Sequence, residues 1–101
     1  MKPIDLKNDV KYSKNSIVSK TLVDKKAGTL TLFAFDVGQG LSEHKAPYDA
    51  IVQVVDGKGE FFIANKKTEV TAGELMIMPA NIPHSVRAKE KFKMLLTMIR
   101  S

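Results

Sequence analysis

Short runs of alternating apolar and polar residues, each closed by a turn signal, fill this chain from residue 16 to residue 99. Residues 16–23 are rich in β-branched side chains and predict a strand, ended by the turn Asp24-Lys25-Lys26-Ala27-Gly28. Residues 29–35 predict a second strand. Leu30, Leu32 and Ala34 fall on one of its faces and Phe33 and Phe35 on the other. Both faces therefore need cover, and an inter-subunit contact is one way to supply it. A tight turn, Asp36-Val37-Gly38-Gln39-Gly40, leads into an extended segment over 41–47. Residues 49–56 alternate again, with Ala50, Val52 and Val54 on one face. Asp56-Gly57-Lys58-Gly59 reads as a hairpin turn, with 60–64 as its return strand. Asn65-Lys66-Lys67 reads as another hairpin turn, before short strands over 68–71 and 75–78. The last two strands are 85–88 and 92–99, the latter with Phe92, Met94, Leu96 and Met98 on one face. Taken alone, the Met, Leu and Lys of 92–99 favour a helix. The surrounding strands, at intervals of roughly 8–12 residues, predict instead an all-β sandwich or barrel.

Residues 1–14 are polar and Lys-rich and predict an N-terminal arm or edge segment, leaving 15–101 as one barrel domain. A chain of 101 residues buries only roughly 60–65% of its unfolded surface, and with no cysteine it has no disulfide to compensate. A homodimer is expected to add burial. The N-terminal residues carry no apolar leader core, and no apolar run approaches the roughly 20 residues that span a bilayer. The expectation is a cytoplasmic protein with no membrane partner. The net charge of +5 invites a nucleic-acid reading, but the lysines are scattered and form no basic face interleaved with aromatics. No nucleic-acid partner is expected.

Candidate chemistry is concentrated in two residues. His44 and His84 are the only histidines. His84 ends the corner Pro79-Ala80-Asn81-Ile82-Pro83-His84, where two prolines fix φ twice and remove two backbone donors. Such a corner can hold His84 at a defined angle. No nucleophile triad, P-loop or dinucleotide fingerprint is present, and Gly38-Gln39-Gly40 precedes no helix.

Over residues 28–99 the chain resembles the small single-domain cupins, of the RmlC-like superfamily. Their first motif is Gly, five residues, His-x-His, three or four residues, Glu, six residues, Gly. Gly38, His44 and Gly57 fall on it. Their second motif is Gly, five residues, Pro-x-Gly, two residues, His, three residues, Asn. Gly73, Pro79 and His84 fall on that. The resemblance implies a double-stranded β-helix (a jelly-roll barrel) with His44 and His84 directed into one internal pocket. The family's usual metal site is three His and one Glu. Here Ala46 takes the place of the second His, Ala50 that of the Glu, Asn81 that of the second motif's Gly and Ala88 that of its Asn.

Two imidazoles still suit one divalent transition metal, Zn, Ni, Fe, Mn or Cu, with water or a ligand's oxygens completing the shell. Glu43 and Asp49 are each out of phase with the positions that face the pocket. Tyr48, Met76 and Met94 are further candidates for the pocket wall, and Met78 and Met98 are expected to contribute to the same interior, methionine being suited to irregular apolar space. The expected function is that of a small barrel holding a small molecule, a metal ion or both near His44 and His84. A metal-dependent dioxygenase or isomerase of the cupin type is the alternative.

Overall fold

The structure is a computed structural model that describes residues 1–100; Ser101, the end of the expected barrel domain, lies outside them. Eight strands follow in chain order among the described residues: β1 (Ile17–Lys25), β2 (Gly28–Phe35), β3 (Gly40–His44), β4 (Asp49–Ile63), β5 (Lys66–Thr71), β6 (Leu75–Met78), β7 (His84–Arg87) and β8 (Phe92–Ile99). All pairings are antiparallel. One sheet runs β1-β2-β8-β4-β6 and the other β5-β4-β7-β3, with β4 common to both. This is the double-stranded β-helix that the alternating pattern and the motif spacing imply.

The shared strand departs from the sequence expectation. Asp56-Gly57-Lys58-Gly59 is not a hairpin turn. The chain continues through it as the fifteen-residue β4, whose first half pairs β8 and β6 and whose second half pairs β5 and β7. The bend between halves needs its glycines for space and conformation. Gly57 has φ +73°, a value that L side chains rarely adopt. A Cβ at Gly59 would stand 2.7 Å from the Phe92 ring and 2.9 Å from the Phe61 ring. Phe92 stacks on Phe35 with centroids 4.7 Å apart and meets Phe61 edge-on at 6.0 Å. These three fully buried aromatics close one end of the core. A second correction is local. The β4–β5 hairpin turns at Ala64-Asn65, both at positive φ as a two-residue primed turn requires, and Lys66 and Lys67 already belong to β5.

Inside the barrel, Ala50, Val52 and Val54 of β4 pack with Met78, Val86, Phe92 and Met94. A second cluster lies on the opposite face of β2 and β8, where Leu32, Ala34 and Leu95 are covered by Leu6, Val10 and Tyr12. The chain's own N-terminal segment thus covers the second face of β2 over Leu32 and Ala34. Tyr12 donates to Asp56 at 2.7 Å, and Lys93 donates its ammonium to the Lys7 carbonyl while lying 4.8 Å from the Tyr12 ring. Burial, with the Asp56 carboxylate next, pushes the Tyr12 phenol well above its ordinary pKa. No helix among the described residues is long and apolar enough to cross a membrane.

Candidate functional site

The open end of the barrel is built by strand termini from both sheets. β3 delivers His44 as its last residue and β7 delivers His84 as its first, and the two are register partners. The corner before β7 is pinned from three sides. Asp49 accepts the Ala80 amide at 2.8 Å, the Ala46 carbonyl accepts the Asn81 amide at 2.8 Å, and the Pro83 carbonyl accepts the Ala64 amide at 2.9 Å. Asn81 sits at φ +64°. Asparagine tolerates that left-handed conformation better than other non-glycine residues, which explains how it stands where the motif has glycine.

Each histidine is oriented by the same contact. His44 Nδ1 lies 2.9 Å from the Ser42 carbonyl oxygen and His84 Nδ1 3.1 Å from that of Ile82. A carbonyl oxygen only accepts, so each Nδ1 carries the proton and donates it. In the neutral rings both Nε2 atoms are then left with lone pairs. These two atoms face one another at 3.1 Å, across rings whose centroids are 4.4 Å apart and inclined by 69°. Two acceptors converging at this distance repel unless a cation, a proton or a metal ion, lies between them. His84 is 6% exposed whereas His44 is exposed at the mouth. Burial holds the His84 pKa below its ordinary value and the neighbouring His44 pushes the same way, against the opposing effect of the Ile82 carbonyl.

Behind the pair lies an apolar cavity of about 40 Å³, lined by Leu41, Ala50, Met78, Val86, Met94, Leu96 and Met98 together with both histidines. Of the residues expected on its wall, His44, His84 and Met94 are there. Tyr48 and Met76 are not. Tyr48 precedes β4, and Met76 packs beside Val52, one layer deeper than Ala50. Met78 and Met98, expected from the sequence to contribute to the same interior, do line it. The alternation of β6 and β8 puts them on the inner face, and the register places each directly opposite Ala50.

The donors present fit part of a metal shell. Two imidazoles oriented through Nδ1 by carbonyls are the usual arrangement of histidine ligands. With metal–nitrogen distances of about 2.0–2.1 Å, a 3.1 Å separation of the nitrogens corresponds to an angle of about 100° at the metal. No group of three or more His, Cys, Asp or Glu able to hold a metal exists among the described residues. Asp49 is engaged at Ala80, and Glu43 is exposed.

Residues 31–100 match the model of the cupin domain. The chain belongs to the cupin family. Among solved structures, this cupin is similar to a conserved protein of unknown function from Streptococcus pyogenes, with 35% identity and a TM-score of 0.94 over 99% of this chain and 88% of the other. A cupin 2 conserved barrel domain protein from Leptotrichia buccalis is 44% identical, with a TM-score of 0.92 over 95% of this chain. This cupin spans about half of that protein, 47% of its length. A cupin superfamily protein from Desulfitobacterium hafniense shares the fold, with a TM-score of 0.93 at 22% identity over 99% of this chain and 92% of the other. Comparison with curated proteins yields no match.

Proposed function

We propose that this cupin binds one transition-metal ion between His44 and His84, with water or a small ligand completing the coordination. The observation that carries the reading is the convergence of two imidazole Nε2 lone pairs at 3.1 Å, each ring fixed in its tautomer by a backbone carbonyl. Both positions match histidine ligands of the family motifs, which adds independent support. The size of the cavity weighs against a bulky ligand. About 40 Å³ holds about three waters, each needing some 10–15 Å³, whereas pockets for drug-sized molecules run to roughly 300 Å³ or more. A metal ion with a ligand of a few atoms fits, and the substrate of a catalytic cupin would have to reach the metal from the exposed His44 side.

Metal analysis after purification in metal-supplemented medium tests this. One metal ion per chain is expected, with His44→Ala and His84→Ala each losing most of it. At a free metal concentration 100 times Kd the ion should add about 2.7 kcal/mol of stability, read as a rise in Tm that a chelator reverses. If the parent protein takes up no metal and its two rings titrate as a pair sharing one proton, the reading is wrong.

A further inference from the structure

The donor set of the cavity points to one kind of ion, and we infer that the site is selective for Cu(I) over divalent metals, with the thioethers of Met78 and Met98 acting beside His44 and His84. This rests on the metal reading above and names the ion.

The first argument is softness. The position where the family motif carries a carboxylate is Ala50, and its register partners on the two flanking strands are Met78 on β6 and Met98 on β8. Directly opposed residues of antiparallel strands have Cβ atoms about 4.5–5.5 Å apart, so the vacated volume is bordered by a methionine on each side. Both methionines line the same cavity as the two imidazoles. Thioethers are soft ligands that favour Cu(I), whereas carboxylates favour harder ions.

The second argument is charge. The remaining wall is Leu41, Ala50, Val86, Met94 and Leu96, with no anionic side chain. The Asp49 carboxylate is tied to the Ala80 amide. Every donor available inside is neutral, so the charge of the bound ion stays uncompensated there. Burying a charge without a partner is costly, and the cost rises steeply from one charge to two. A monovalent ion with nitrogen and thioether donors is the one that this apolar, uncharged cavity accepts at least cost.

The test is competitive titration of the metal-free protein against a chromophoric chelator, with Cu(I) under ascorbate and separately with Zn(II), followed by X-ray absorption at the copper edge. The expected result is one Cu(I) per chain, bound more tightly than Zn(II), with both nitrogen and sulfur scatterers. Leucine replaces methionine at nearly constant volume, a swap that cores tolerate. The Met78→Leu/Met98→Leu double variant should therefore stay folded by circular dichroism. Its Cu(I) affinity should fall by more than about tenfold, the low end of what altered surroundings of a ligand cost, with Zn(II) affinity unchanged. Met76→Leu, off the cavity wall, should change neither. Zn(II) binding as tight as Cu(I), or copper with no sulfur scatterer, overturns the inference while leaving the histidine site standing. Failure of both metals to bind removes the metal reading and this inference with it.

Discussion

A Cβ added at Gly59 has nowhere to go. It would stand 2.7 and 2.8 Å from two Phe92 ring atoms, and that ring is itself clamped between Phe35 and Phe61. Overpacking of this kind typically costs about 1–3 kcal/mol. Gly59→Ala should accordingly lower the chemical-denaturation midpoint by a stability loss in that range, with an unchanged m-value. A loss below about 0.5 kcal/mol, the scale of ordinary surface changes, would show that the aromatic cluster is looser than its geometry implies. Residue-scale geometry also marks where the sequence stops being readable. His44 and His84 were legible because their spacing from Gly38 and Gly73 is a matter of counting. The carbonyls of Ser42 and Ile82 that fix their tautomers were not, since each contact depends on the local backbone path two residues upstream. Met76 and Met78 share a face of β6, and periodicity alone cannot say which of them reaches the cavity; the depth of each along the barrel does.

Among the elements, the N-terminal segment was the least legible and has a definite role. Leu6, Val10 and Tyr12 are isolated among lysines and carry no periodic signal, yet they cover Leu32, Ala34 and Leu95. Val10 is 4% exposed, and Lys20 pairs with Asp9 at 2.9 Å. Removing residues 1–12 should bare this outer face. Increased binding of a hydrophobic dye and a lower Tm are the expected readouts, and a truncated chain as stable and as dye-inert as the parent would contradict the packing. The two-glycine bend of β4 misled the sequence reading for a related reason. A hairpin turn and a bend between sheets demand the same residues, and what separates them is the distant Phe92 ring packed against the bend. Alternation and turn chemistry, which are local, carried the remaining strands correctly to within a few residues.

For the whole molecule, acid stability follows from one buried ring and two carboxylates, Glu60 buried and Asp36 half-buried. Because folding lowers the His84 pKa, the unfolded chain binds a proton there more readily than the folded one. The metal-free protein should keep this stability above the ordinary histidine value of 6.5 and lose it as pH falls below that. A second decline should come in the carboxylate range. Lys67 holds the Glu60 pKa below its ordinary value of 4.5, and backbone amides of Asn15 and Val37 hold Asp36 below its own. Both contributions fade as pH falls through those lowered values. Denaturation midpoints measured across pH in the presence of a chelator check this, and His84→Gln should abolish the first decline while sparing the second. A profile flat between pH 7 and 5 would contradict the burial assigned to His84.

β4 is also a lever. Ala50, opposite Met78 and Met98, lies seven residues from Gly57 along one arm, and at about 3.3 Å per residue that arm is about 23 Å long. The other arm, ending at Ile63, is paired with His84. Opening the angle at Gly57 by about 5° with both arms rigid would carry the methionine side of the cavity about 2 Å from the histidine side, comparable to a metal–ligand bond. A change in the bend at Gly57, a residue outside the cavity's lining, would therefore alter the gap across the site.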